Sequence, residues 1–185
     1  EVWEALLEDM LPEAMLRNIN KMTAIRLLTP FSVAEKKVKE TFNNVELLKK
    51  VKLHPLKVLV GMRQYNKGRG DKGSLTWTPL QSIVETLDDT FYKCFQNITP
   101  SNERYLLSLD VSGSMTCDTC VGMPITPREA SAAMAMVTAR TEANYLINGF
   151  SHELVPLKIH NKMAINDVVK YIDTIDMGGT DCALP

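Results

Sequence analysis

Two short turns carry the residues best suited to chemistry. Asp110, Ser112 and Ser114 follow an apolar run that ends at Leu109, and Thr180 stands in a glycine-rich turn 70 residues after Asp110. Hard divalent cations such as Mg²⁺ bind carboxylate and hydroxyl oxygens of this kind. Because open α/β sheets place their ligand sites at the carboxyl ends of strands, the two turns indicate a divalent-metal site at one edge of a sheet.

Enzymatic chemistry fits these turns poorly. The Ser112-Gly113-Ser114 segment lacks the glycine pattern of a Gly-x-Ser-x-Gly nucleophile elbow. No second aspartate follows Asp110 two residues on, as an Asp-x-Asp phosphotransferase needs, and the spacing gives His152 and His160 no evident aspartate partner. We therefore expect a protein that is not an enzyme.

The cysteine content and the hydropathy indicate the cellular compartment of the protein. Cys117 and Cys120 have the spacing of a zinc pair, but no second pair and no nearby histidine completes a site, so their role stays open. We expect reduced thiols in an intracellular protein, located in the cytoplasm with the nucleus as the alternative. No apolar run of about eighteen residues is present, so we expect no membrane partner.

The first part of the chain is strongly basic. Residues 15–72 carry fourteen Lys or Arg and four acidic residues, a local charge of +10, whereas residues 101–185 carry six basic and ten acidic residues, a local charge of −4. Clustered cations favour contact with nucleic-acid phosphates, and the alternative is a set of solvated helix faces. The candidate RNA-contacting residues are Arg17, Lys21, Lys49, Lys50, His54, Arg63, Lys67, Arg69 and Lys72. A helix cap is an equally good role for His54, because Pro55 follows it.

Residues 1–99 have the apolar spacing of successive helices, which is typical of a helical-repeat segment. Residues 33–50 predict one helix. The sequence Thr78-Pro79-Leu80-Gln81 predicts another, with Thr78 as its cap in a capping box. Between helices, residues 65–74 hold three glycines and predict a flexible, basic, exposed loop.

Residues 103–185 alternate between strand and helix patterns, which predicts the opening of a parallel-sheet α/β domain. Strands are expected at 105–111, 145–151 and, as a short edge, 153–157. Helices are expected at 126–141, with Ala130, Ala133, Met134 and Val137 inward, and at 165–175. Such a sheet needs about five or six strands, so we expect this domain to continue past residue 185.

The two turns and the strand at 145–151 resemble the first half of a von Willebrand factor type A domain with its metal-ion-dependent adhesion site (MIDAS). The resemblance implies that Ser112, Ser114 and Thr180 bind Mg²⁺ directly or nearly so, and Asp110 directly or through water. It also implies a further acidic residue on a third loop beyond residue 185, and a protein ligand that offers a carboxylate to the metal.

The combination of this domain with the preceding helices resembles the TROVE family of Ro (SS-A) ribonucleoprotein autoantigens. The residues that carry the resemblance are Leu16-Arg17-Asn18-Ile19, His54-Pro55, Gly68 to Gly73, Trp77, Arg140-Thr141-Glu142 and Gly178 to Cys182. It implies a ring of HEAT-like repeats closed by a type A domain. It further implies binding of small noncoding Y RNAs on the outer surface of the ring and of misfolded noncoding RNAs through its hole.

We therefore expect an α plus α/β chain with a HEAT-like helical-repeat segment at 1–99 and a type A domain at 103–185. Its function would be RNA binding, with Mg²⁺ at Asp110, Ser112, Ser114 and Thr180. The alternative is a metal-dependent protein-binding module on a helical scaffold, without a role in RNA binding.

Overall fold

The chain folds into two units, Glu1–Ile98 and Thr99–Pro185. The structure is a computed structural model, and it describes residues 2–70, 73–175 and 178–185. The helices of the first unit are α1 (Val2–Glu8), α2 (Pro12–Ala24), α3 (Val33–Asn43), α4 (Val45–Lys50), α5 (Pro55–Asn66) and α6 (Gln81–Lys93), followed by a 3₁₀ turn (Cys94–Asn97).

Apolar residues at 3–4 spacing form the core of this helical unit. In α2, Met15, Leu16, Ile19 and Met22 are all buried. The buried residues of the other helices include Val38, Phe42, Leu48, Val58, Leu59, Met62, Ile83, Leu87 and Phe91. No helix in the described part of the chain is long and apolar enough to span a membrane.

Two predicted helix boundaries are wrong, each for a local reason. The helix expected at 33–50 is divided at Asn44, whose side chain accepts a hydrogen bond from the Leu47 N–H and so starts α4. The capping box at Thr78 does not form. Instead α6 begins at Gln81, and the Leu80 N–H donates to the buried Tyr65 hydroxyl at 3.0 Å.

The second unit is a small mixed sheet covered by two helices. Its elements are β1 (Arg104–Asp110), a 3₁₀ turn (Gly113–Thr116), α7 (Pro127–Thr141), β2 (Asn144–Phe150), β3 (Leu154–Pro156) and α8 (Ile165–Asp173). β2 lies between β1, to which it is parallel, and β3, to which it is antiparallel. Because β1 and β2 run in register from Arg104 opposite Asn144 to Asp110 opposite Phe150, they end at the same edge of the sheet.

Helix α7 lies where it was predicted, and one residue of its predicted inward stripe is wrong. The Thr126 hydroxyl caps the helix by accepting a hydrogen bond from the Glu129 N–H at 3.1 Å. Ala133 is buried as predicted, but Met134 was expected inward and is 53% exposed, whereas Arg128 is 1% exposed. The buried apolar residues of this unit include Leu109, Val111, Ala132, Ala133, Ala135, Met136, Ala139, Ile147, Val168 and Ile172.

Candidate functional site

The turn after β1 brings three of the predicted metal ligands together. Asp110 is the last residue of the strand, and its Oδ1 accepts a hydrogen bond of 2.8 Å from the Ser112 N–H. The hydroxyl oxygens of Ser112 and Ser114 lie 3.0 Å apart. The Val111 N–H donates to the Phe150 carbonyl at 3.0 Å, so the turn is fixed to the end of β2.

This geometry fits a small octahedral cation. Mg²⁺ binds oxygen at about 2.1 Å in near-ideal octahedral geometry, so two adjacent ligands are about 3.0 Å apart. The Ser112 and Ser114 hydroxyls, which form a hydrogen bond of 3.0 Å, have a separation compatible with that geometry. The candidate donors are a carboxylate and hydroxyls and so are oxygen only, and the described residues contain no group of three or more His, Cys, Asp or Glu side chains arranged for a metal. Cys117 and Cys120 therefore do not form part of such a group.

The second turn lies at the same edge of the sheet. The Asp181 N–H donates to the Ser151 carbonyl at 2.7 Å, directly after β2, and the Asp181 Oδ1 accepts from the Ala183 N–H at 3.0 Å. Thr180 precedes this anchor and is exposed. Because β1 and β2 are neighbours, this hydrogen bond anchors Asp181 at the edge of the sheet where the first turn lies. Met177, at the start of the predicted turn, is outside the described residues.

A buried arginine supports the first turn, and the sequence pattern did not reveal it. One guanidinium nitrogen of Arg128, Nη2, donates to the carbonyls of Val111 and Ser112, at 2.9 Å each. The other, Nη1, forms an ion pair with Asp173, the last residue of α8. The only sequence signal was a cation in the first turn of a helix, where the helix dipole disfavours it.

The candidate RNA residues lie mainly on exposed helix surfaces. Lys21, Lys50, Lys67 and Arg69 are exposed. Two others are close to acidic side chains: Arg17 forms a 2.7 Å ion pair with Glu13, and Lys49 lies 3.6 Å from Glu46. Exposed pairs of this kind stabilise a protein by at most about 1 kcal/mol, so they leave both cations able to exchange partners.

The basic loop after α5 has the backbone pairing of a hairpin in its described part, and its flexibility stays a prediction. Arg69 bridges Thr76 in an antiparallel sense, and the Gly70 N–H donates to the Leu75 carbonyl at 2.9 Å. Gly68 has a φ of +72°, and a Cβ there would lie 3.0 Å from the Trp77 carbonyl oxygen. We call residues 67–70 and 73–76 the basic hairpin. Lys72 is outside the described residues.

His54 and Arg63 already have structural partners. The His54 Nδ1 caps α5 by accepting from the Leu56 N–H at 3.2 Å. Burial lowers the pKa of His54, and the nearby Lys57 ammonium lowers it further, so both effects favour the neutral ring that can accept this bond. Arg63 is half-buried and close enough to Asp88 to lower the pKa of that carboxyl, against the larger effect of burial, which raises it. A contact of either residue with RNA stays a prediction.

The chain is similar in sequence and in structure to known Ro proteins. Residues 104–185 match the family model described as the Ro60 vWA domain. The whole chain is 38% identical to the RNA-binding protein RO60 of Caenorhabditis elegans and covers 28% of it. It is 36% identical to the RNA-binding protein RO60 of Deinococcus radiodurans and covers 35% of it. The crystal structure of the Deinococcus radiodurans RO (RSR) protein matches 98% of this chain, with a TM-score of 0.91 at 36% identity, and the match covers 37% of that chain.

Proposed function

Since the chain belongs to the Ro protein family, with a Ro60 vWA domain at residues 104–185, we propose that it is part of an RNA-binding protein of the Ro type. The observation that carries this proposal is the agreement between two relatives named as RNA-binding proteins and the local charge of +10 at residues 15–72. The chain spans about a third of the length of these relatives, so the partners and activity of the whole protein are part of the proposal.

Within this proposal, the RNA partners are small noncoding Y RNAs and misfolded noncoding RNAs in the cytoplasm. The helical unit supplies exposed cations for phosphate contact, and its repeats are of the HEAT type. The aromatic residues near the basic hairpin, Tyr65 and Trp77, are buried, and their parallel rings belong to the core of the unit. Because buried rings cannot stack on RNA bases, the proposed contact is with the RNA phosphate backbone.

The RNA proposal is tested by binding to a structured noncoding RNA at several salt concentrations. The full-length protein is compared with Lys67→Gln/Arg69→Gln, which removes two charges from the basic hairpin. Each phosphate contact contributes about 0.7–0.9 to the slope of log K against log salt, so the slope should fall by about 1.4–1.8. The control is Lys162→Gln/Lys170→Gln, which removes two exposed charges from the type A unit. No binding at low salt, or affinity that does not change with salt, would contradict the proposal.

We further propose that the type A unit holds Mg²⁺ at a MIDAS. Asp110, Ser112, Ser114 and Thr180 would hold the metal, which would offer a Lewis-acid position to a carboxylate of a protein partner. The 3.0 Å separation of the two serine hydroxyls supports this donor set. Asp110 keeps the turn in shape through the Ser112 N–H, so its second carboxylate oxygen can face a metal or a metal-bound water.

The metal proposal is tested by calorimetric titration with Mg²⁺. The variant Asp110→Ala/Thr180→Ala should lose Mg²⁺ binding while its circular dichroism spectrum remains that of the unmodified protein. Thr119→Ala is the matched control, because it removes an exposed hydroxyl from the loop that follows the first turn. Unchanged Mg²⁺ affinity in the double variant would show that the two turns do not form the site. If Mg²⁺ binding holds and RNA binding fails, the alternative function is favoured: a metal-dependent protein-binding module on a helical scaffold.

A further inference from the structure

Arg128 and Asp173 form an ion pair in which both partners occupy unfavourable ends of their helices. Arg128 lies in the first turn of α7, near the positive end of the helix dipole. Asp173 ends α8, at the negative end of that dipole. Arg128 is also 1% exposed, so its charge has lost nearly all contact with water. Each helix end therefore opposes the charge placed on it, and the two charges depend on each other for compensation.

The buried guanidinium is held where it orders the metal-binding turn. Its two hydrogen bonds to the Val111 and Ser112 carbonyls, 2.9 Å each, fix the backbone between the Asp110 carboxylate and the Ser112 hydroxyl. Arginine suits this position because its planar fork can bond to the turn with one nitrogen and to Asp173 with the other. A neutral residue would leave two carbonyls of the turn without these donors.

Asp173 also stands seven residues before Thr180. The segment that follows α8 ends at the Asp181 N–H, which is bonded to the Ser151 carbonyl at the end of β2. The ion pair therefore joins the base of the first turn to the helix that leads into the second. A shift of α8 would reach the first turn through this contact.

We propose that the Arg128–Asp173 ion pair is a positioning element of the metal site, and that Mg²⁺ affinity depends on the Asp173 carboxylate although Asp173 is not a ligand. This inference rests on the proposed MIDAS. Asp173 would act in two ways. It holds the guanidinium against the turn, and it balances a positive charge that would otherwise repel a divalent cation beside Ser112.

The decisive variant is Asp173→Asn in the full-length protein. It removes the balancing charge at Asp173 and leaves Arg128 in place. Because Arg128 is buried and loses its ion-pair partner, only folded samples with native circular dichroism are scored. Loss of an outer-shell partner of a metal site lowers metal affinity by about 10–100-fold, so we expect at least a tenfold weaker Mg²⁺ affinity by calorimetry. Asp173→Glu keeps the carboxylate and should recover most of the affinity. Asp167→Asn is the matched control, because it removes an exposed carboxylate from the same helix.

A second readout separates positioning from simple stabilisation. The melting temperature is measured without metal and at one fixed excess of Mg²⁺, since a bound ligand stabilises the folded state by RT ln(1 + [L]/Kd) and a weaker affinity therefore gives a smaller rise. The inference expects Asp173→Asn to reduce the Mg²⁺-induced rise. If this variant melts lower without metal but shows the same rise as the unmodified protein, Asp173 is only structural and the inference is wrong.

The outcomes also separate this inference from the metal proposal. If Asp110→Ala/Thr180→Ala abolishes Mg²⁺ binding and Asp173→Asn does not weaken it, the MIDAS stands and the positioning role fails. If the unmodified protein does not bind Mg²⁺, or if the double variant binds it unchanged, both fail. Arg128→Met should also weaken binding, and because it can unfold the domain, only folded samples with native circular dichroism are scored.

Discussion

Removal of the Tyr65 hydroxyl should destabilise the helical unit, although the change deletes only one oxygen atom. Tyr65 is fully buried near the end of α5, and its hydroxyl accepts from the Leu80 N–H at 3.0 Å and pairs with the Thr23 hydroxyl at 3.1 Å. In Tyr65→Phe, Thr23 keeps its bond to the Ile19 carbonyl, but the Leu80 N–H at the start of α6 loses its acceptor. A partly buried N–H group left without an acceptor lowers the free energy of unfolding by about 1–3 kcal/mol.

Denaturant unfolding measures this cost directly. The two tryptophans of this chain, Trp3 and Trp77, both lie in the helical unit, so their fluorescence reports its unfolding. We expect the free energy of unfolding to fall by about 1–3 kcal/mol, and the melting temperature by at least about 4 °C.

Burial raises the pKa of Tyr65. Its contribution to stability is therefore complete below the unfolded-state pKa of about 10 and is lost as pH rises through the folded-state pKa, a dependence that Tyr65→Phe should remove.

Tyr171→Phe is the matched control for this prediction. The Tyr171 hydroxyl also accepts a backbone hydrogen bond, from the Lys158 N–H at 3.1 Å, but Lys158 is exposed and water can replace the hydroxyl. We expect the free energy of unfolding, measured by far-ultraviolet circular dichroism, to change by no more than about 0.5 kcal/mol. If Tyr65→Phe costs no more than Tyr171→Phe, burial does not control the energy of this hydrogen bond and the reasoning is refuted.

Two further changes test local features of the helical unit. Because burial lowers the pKa of His54, its contribution to stability is complete above the unfolded-state pKa of about 6.5 and is lost as pH falls through the folded-state pKa. His54→Asn keeps a capping acceptor that does not titrate, so its free energy of unfolding should fall less between pH 7 and pH 5, and parallel pH profiles would contradict this. In Gly61→Ala the new Cβ would lie 2.5 Å from Leu16 Cδ1. Overpacking should lower the free energy of unfolding by about 1–3 kcal/mol, which exceeds the gain of about 1 kcal/mol from the higher helix propensity of alanine. If chemical denaturation shows that Gly61→Ala is more stable than the unmodified protein, this reasoning is refuted.

Capping boxes show how far local sequence determines this fold. The pattern at Thr126 predicts the start of α7 correctly, because the hydroxyl and its acceptor partner, the Glu129 N–H, are three residues apart. The same pattern at Thr78 does not start a helix: α6 begins at Gln81, and the hydroxyl of Tyr65 on another helix accepts from the Leu80 N–H just before it. Tyr65 is fifteen residues earlier in the chain. A local rule is therefore reliable only where no contact from a distant segment fixes the backbone ahead of the helix.

The arrangement of Asp110, Ser112 and Ser114 in one turn was predictable because the three residues are close in the sequence. They lie within five residues and follow an apolar strand. The backbone pairing after α5 was not predicted, because no local pattern links the residues that form it. Gly68 there allows a close backbone approach to Trp77, whose indole N–H donates to the Tyr65 carbonyl at 2.7 Å. Glycine can mark a tightly built turn as readily as a mobile one.

Arg128 is the residue that apolar periodicity could not place. Patterning assigns charged residues to the surface and methionine to the interior, yet Arg128 is buried and Met134 on the same helix is exposed. The partners that permit this burial are distant in sequence: the Ser112 carbonyl is 16 residues earlier and the Asp173 carboxylate is 45 residues later. A buried charge requires all such partners at once, and only the folded sheet brings them together. The residue that supports the turn after β1 is therefore recognisable from its hydrogen bonds and not from the order of residue types.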